Sequence, residues 1–253
     1  MAQTALVTGA TSGIGHEFAQ QLAERGYDLV VVARDQQRLP AVAEELRTRY
    51  GVEVEALAAD LTVPEQLALV EQRVGSTERP VDLLVNNAGF SFKQRFLDNG
   101  IDDEEAMLDV LVVAVLRLSH AALRAMTARG RGGIVNVSSV AAFVPRGTYG
   151  AAKSWVNAFT EWAHHEYRSR GVVVTALCPG FTKTEFHERM GVRRTSAPGF
   201  MWLDADRVVR EGLADHAAGK AYSVPSRRYK AIVVLSRLIP SVVLHRAQSL
   251  GRR

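Results

Sequence analysis

Tyr149 and Lys153 are spaced i, i+4, so on a helix beginning near Tyr149 both side chains face one cleft. A tyrosine, with an ordinary pKa of about 10, becomes a better acid–base group beside a lysine cation, and such a pair can pass a proton to a developing alkoxide. Upstream, Ser139 ends the run Asn136-Val137-Ser138-Ser139, where a hydroxyl can orient the oxygen that takes the proton. Near the start of the chain, Thr8-Gly9-Ala10-Thr11-Ser12-Gly13-Ile14-Gly15 joins the apolar strand Ala5-Leu6-Val7 to a helical pattern running from about Gly15 to Arg25. Glycines there let the backbone turn and approach a pyrophosphate, which the free N–H groups and positive end of the helix attract. Each feature alone has a plainer reading. Loops collect glycine simply to turn, tyrosine and lysine one turn apart are common on helices, and a serine pair can merely end a strand.

The elements that must position these groups alternate along the chain. Strand patterns lie at about 4–8, 28–33, 53–58, 81–86, 133–138, 172–177 and 221–224, with helical patterns between most of them. Regular βαβ alternation with β-branched strands buried on both faces predicts an α/β fold, a doubly wound parallel Rossmann sheet with right-handed crossovers. In such sheets ligands collect beyond the carboxyl ends of the strands, where the features above fall. No repeat or low-complexity linker divides residues 1–253, so one domain is expected.

Five motifs in order, the glycine turn, Asp60 after an apolar strand, Asn86-Asn87-Ala88-Gly89, Ser139 with Tyr149-x-x-x-Lys153, and Pro179-Gly180-x-x-x-Thr184, resemble the short-chain dehydrogenase/reductase family along nearly the whole chain. The resemblance implies strand order 3-2-1-4-5-6-7 and an oxidoreductase acting between a carbonyl and a secondary alcohol. It implies Ser139, Tyr149 and Lys153 as catalytic residues, with Ser138 as the fallback serine, and Lys153 also holding the nicotinamide ribose. The cofactor would lie along Gly9, Thr11, Ser12, Gly13, Ile14 and Gly15, beside Asp60 and Leu61, past Asn87, Ala88 and Gly89, and against Pro179, Gly180, Thr182 and Thr184. Asp60 has helix capping as its alternative, and Asn87 has backbone bonding within the sheet. The Ser139-to-Tyr149 connection is shorter than is common in the family. Within it, the tail and the Pro179-Gly180-Phe181-Thr182 region resemble hydroxysteroid and long-chain 3-ketoacyl reductases.

NADP(H) is the expected cofactor, with NAD(H) the alternative. Ala33 stands at the end of the second strand where an acid would repel a 2′-phosphate, and Arg34 can pair with that phosphate, although Ser12 adds no basic contact. One departure from the family is Leu111, aligned with an asparagine that anchors a water in a proton relay from the lysine. Its loss raises a second reading, a dinucleotide-binding sensor or partner protein with weak activity, while a core leucine is the plain alternative.

The chain has 253 residues, 47% of them apolar and 23% charged, enough for a substantial core. The early first strand and the lack of an apparent spanning apolar run make a cytoplasmic location the expectation. Cys178 is the single cysteine, which rules out an internal disulfide, and no metal site is expected. Residues 185–203 mix Phe186, Met190, Phe200, Met201 and Trp202 with charges and glycines, as suits a lid over a hydrophobic substrate. Asp204 reads as the N-cap of a helix running to about His216. The net charge of +4 is a property of the tail: residues 216–253 carry eight Lys or Arg and no acid. No nucleic-acid module accompanies them. The segment 229–253 admits three roles: packing over the pocket or in a homodimer or homotetramer interface, peripheral contact with an anionic membrane, and recognition of an acidic carrier.

Overall fold

The computed structural model describes residues 2–186 and 198–238, with only the backbone described for Arg237 and Leu238. Strands β1 (Thr4–Thr8), β2 (Asp28–Ala33), β3 (Val54–Ala58), β4 (Leu83–Asn86), β5 (Gly132–Val137), β6 (Val172–Leu177) and β7 (Tyr222–Ser223) form one sheet in the order β3-β2-β1-β4-β5-β6-β7. Every pairing is parallel. This is the expected doubly wound sheet and strand order.

The strands are apolar runs because both sheet faces are covered, and their side chains divide between the faces with a period of two. Ala5, Val7, Leu29, Val31, Val85 and Val135 pack with Phe18 and Leu22 of α1 (Gly13–Glu24), Leu39 and Leu46 of α2 (Arg38–Tyr50), and Val208 and Val209 of α7 (Ala205–Ala217). Leu6, Val30, Val32, Leu84 and Ile134 face the other way, onto α3 (Pro64–Val74), α5 (Ala114–Ala128) and α6 (Gly147–Tyr167). Cys178, just beyond β6, is a fully buried thiol that donates to Asn157 Oδ1 at 3.4 Å.

Helix α4 (Ile101–Leu108) runs into α5 through a π-helical segment, Asp109–Val113. The resulting helix, Ile101–Ala128, is long and apolar enough to cross a membrane, with a mean hydropathy of 1.8 over its most apolar stretch. That corrects the expectation that no such run exists. Half of the stretch is buried, with Leu118, Ala122 and Met126 packed against the sheet, and this packing accounts for its composition. Asp204 does precede α7, but its carboxylate accepts from Lys183 Nζ at 2.9 Å instead of capping the helix. The lid expected at 185–203 falls largely outside the described residues, at 187–197, and so does 239–253 of the C-terminal segment. The described part of that segment forms α8 (Arg227–Leu238).

Candidate active site

The carboxyl ends of β1, β4, β5 and β6 open on one cavity of about 1100 Å³. Its first wall is the glycine turn. Gly9 and Gly13 have φ of +67° and +57°, and a Cβ on Gly9 would lie 2.9 Å from the Asn87 amide. Gly15 faces away from the cavity, since a Cβ there would stand 2.2 Å from the Gly9 carbonyl oxygen, so this glycine allows α1 to approach β1. Ser12 is the extended N-cap of α1 and makes no side-chain capping bond, and the first turn holds no acid. The turn is therefore a shallow backbone cradle at a positive helix end, and it fits the pyrophosphate of a dinucleotide.

Around this cradle the structure gathers nearly all the residues singled out from the sequence. Thr11, Ser12, Gly13, Ile14, Arg34, Asp60, Leu61, Ala88, Gly89, Pro179, Gly180, Thr182 and Thr184 all line the cavity. Asn87 lines it too, but its side-chain amide donates to the Thr8 and Gly9 carbonyls at 2.9 and 3.3 Å, tying β4 to β1. Thr8, given no role of its own in the sequence reading, completes this tie: its hydroxyl accepts from the Asn87 and Ala88 amides, each at 3.0 Å. Asp60 caps a turn, not a helix. Its Oδ1 accepts from the backbone and hydroxyl of Thr62, and Val63 is the residue that precedes α3. Arg34 is exposed at the end of β2, whereas the neighbouring Asp35 carboxylate is turned to the Gln37 and Arg38 amides.

Past β5 the two serines separate in role. Ser138 is buried and donates to the Lys153 carbonyl at 3.1 Å. Ser139 caps a short 3₁₀ turn, Val140–Phe143, accepting from the Ala141 amide at 3.1 Å, and its hydroxyl is near enough to the Tyr149 phenol to pull the phenol pKa down. Lys153 lies on α6 one turn beyond Tyr149, with Nζ 5.9 Å from the phenol ring centre. It is almost fully buried and donates to the Val137 carbonyl at 2.7 Å. Burial pushes the Lys153 ammonium down to about 8. Burial also pushes the Tyr149 phenol up to about 12, against the opposing pull of the Ser139 hydroxyl and the Arg146 charge. An oxygen between Ser139 and Tyr149 would thus meet a hydroxyl and a phenol that stays protonated at neutral pH.

The remaining wall is apolar. Leu111 is fully buried and clusters with Met107, Ala152, Phe90, Phe92 and Tyr149, with its Cδ2 against Gly89. From the far side α8 contributes Ile232, Val233 and Ser236, so the described part of the C-terminal segment packs over the pocket. Tyr229 of α8 was not foreseen. Its hydroxyl accepts from the Phe181 amide at 3.0 Å and donates to the Met201 carbonyl at 2.8 Å. Among the described residues no group of three or more His, Cys, Asp or Glu is placed to hold a metal ion.

The family model described as short chain dehydrogenase matches residues 3–194. A very-long-chain 3-oxoacyl-CoA reductase of Macaca fascicularis is 32% identical over 192 residues, 73% of this chain and 61% of that protein, so the chain spans about three-fifths of the length of that curated relative. A short-chain dehydrogenase of Sphingobium yanoikuyae, solved in complex with NADPH, superposes with a TM-score of 0.85 at 36% identity, covering 93% of this chain and 94% of the other. A 7beta-hydroxysteroid dehydrogenase superposes with a TM-score of 0.88 at 26% identity, covering 97% and 96%. Fold, site geometry and family match agree, and the chain belongs to the short-chain dehydrogenase family.

Proposed function

We propose that this protein is an NADP(H)-dependent oxidoreductase that interconverts a carbonyl and a secondary alcohol on a hydrophobic substrate. The observation that carries this reading is the convergence of Ser139, Tyr149 and Lys153, the lysine one turn from the tyrosine, on the same cavity as the glycine cradle. In the reducing direction Tyr149, which burial keeps protonated, donates its proton to the alkoxide oxygen, Ser139 holds that oxygen in place, and Lys153 clamps the nicotinamide ribose. The nicotinamide, when bound, supplies or accepts the hydride. Gly9 to Ile14 would hold its pyrophosphate, Asp60 and Leu61 the adenine end, Asn87 to Gly89 the adenosine ribose, and Pro179, Gly180, Thr182 and Thr184 the nicotinamide end. Arg34 favours a 2′-phosphate, and the NADPH complex of the Sphingobium relative supports that preference. The aromatic walls and the ketoacyl and hydroxysteroid relatives favour a bulky lipophilic ketone. Trp155, Phe159 and Trp162, in ring contact in a row along α6 with Trp162 half exposed, suit contact with a second copy of the chain.

The test is oxidation of NADPH and NADH by the purified protein with steroid, aromatic, aliphatic and 3-ketoacyl carbonyls. Tyr149→Phe is expected to lower turnover by about 10²- to 10⁴-fold while NADPH still binds. Turnover unaffected by this change would refute the catalytic assignment. A sensor with weak activity is the second reading, favoured by one observation: Leu111 puts a buried apolar side chain where the proton relay needs a polar one. Under it, wild type binds NADPH tightly without turnover and Leu111→Asn turns over.

A further inference from the structure

Of the side chains described on α8, only Tyr229, Val233 and Ser236 are buried, and the others are exposed. The exposed face divides along the helix. Its first turn carries Arg227, Arg228 and Lys230, and its second carries Ile232, Val234 and Leu235, the last two 60% and 56% exposed. The Arg228 guanidinium lies 5.5 Å from the ring centre of Phe200 and donates to the Phe200 carbonyl at 3.0 Å, so an aromatic ring that is itself 64% exposed stands beside the basic turn. The Lys230 charge also acts on the Glu211 and Asp215 carboxylates of α7, which leaves Arg227 and Arg228 as the main charge of the outer face. Residues 216–253 hold eight Lys or Arg and no acid, so no acid in this stretch of chain offsets the two arginines.

A helix face that joins cations to exposed aliphatic and aromatic groups matches the boundary of an anionic membrane, where cations meet lipid phosphates and apolar side chains enter the edge of the acyl region. A second copy of the chain fits this face less well. A twofold contact would bring one basic turn toward another, and charged groups are depleted from the cores of such interfaces. We infer that the outer face of α8 docks on an anionic lipid bilayer, with Arg227 and Arg228 at the phosphates and Val234, Leu235 and Phe200 in the acyl boundary. Ile232 belongs to the same face and also lines the cavity, so the docked helix joins the bilayer surface to the cleft. One consequence rests on the reductase reading: a lipophilic ketone reaches the cleft from the lipid. The docking itself does not depend on that reading.

The test is co-sedimentation of the full chain with vesicles of pure phosphatidylcholine and of phosphatidylcholine containing about one-third phosphatidylglycerol. Wild type is expected to bind the anionic vesicles about tenfold more tightly and to lose most of that preference in high salt. Arg227→Glu combined with Arg228→Glu should lower the affinity about 30-fold, and Val234→Ser combined with Leu235→Ser about tenfold. Urea unfolding and NADPH titration of both variants show whether fold and cleft are intact, and the wild-type comparison stands whether or not the variants fold. Absence of vesicle binding, equal binding to neutral and anionic vesicles, or full binding by both variants overturns the proposal. A change of oligomeric state in the serine variant, read by light scattering, overturns it too, because α8 is then an interface between copies. Binding to anionic vesicles by a protein that reduces no ketone leaves the docking standing and removes the reductase reading.

Discussion

At the scale of single residues, the site works by placing groups in environments that alter their ionisation. Tyr149 and Lys153 move in opposite directions for the same reason, burial, which keeps the phenol protonated and makes the ammonium easier to discharge. Arg34 is the opposite case, an exposed charge at the rim of the cavity for which no hydrogen bond or ion pair is seen among the described residues. Arg34→Leu is therefore expected to weaken NADPH binding about tenfold and leave NADH binding nearly unchanged, as measured by fluorescence titration of both cofactors. The proposed catalytic residues were legible because each sits in a short motif whose spacing has a geometric meaning. Glu104, which is buried with its carboxylate accepting from the Asn99 amide, was hidden by its neighbours. In Asp102-Asp103-Glu104-Glu105 it resembles one more solvated acid at a helix start, and only its spacing from Met107 hints that it turns inward.

At the scale of elements, the sheet could be read because parallel strands covered on both faces leave long apolar runs, and the glycine turn because its backbone shape excludes other residues. Contacts between distant segments left no such trace. Tyr229 lies 49 positions beyond Gly180, and nothing local marks it as the residue that fills the space over that glycine. Its ring lies where a side chain at 180 would project, so that a Cβ would come within 1.9 Å of it. Gly180→Ala must therefore displace α8 or the turn after β6. Tyr229→Phe keeps the ring but loses both bonds of its hydroxyl, to Phe181 and Met201. A loss of about 1–3 kcal/mol is expected in urea unfolding, with a raised KM for NADPH because the nicotinamide-side turn loses its anchor.

At the scale of the whole molecule, the end of the sheet opposite the cleft sets the response to acid. Thr175 donates its hydroxyl proton to the Lys220 carbonyl at 2.8 Å, so it can only accept from His216 Nδ1, 2.9 Å away. That leaves Nε2 unprotonated and pressed against Gly133, where an added Cβ would come within 2.4 Å of it. Burial, with a smaller contribution from His164, pushes the His216 imidazole down to about 4. The unfolded chain takes up this proton near pH 6.5 and the folded chain only near pH 4. The contribution to stability is thus intact above pH 6.5 and is lost as pH falls toward 4, by about 3 kcal/mol in all. Urea unfolding at pH 7 and pH 5 should show the slope, and His216→Gln should flatten it; an unchanged slope would place the acid sensitivity elsewhere. The π-helical segment at Asp109–Val113 acts over a similar range, since it adjusts the phase between the cleft-facing side of α4 and the sheet-facing side of α5. Each residue of a helix advances the phase by about 100°. Deleting one residue from this segment would leave α5 seated on the sheet and rotate α4 like a misaligned cog, turning Met107 out of the cleft. Thermal unfolding should then stay near the wild-type temperature while ketone binding is lost, so it is the length of this short turn, more than its composition, that sets the shape of the cleft.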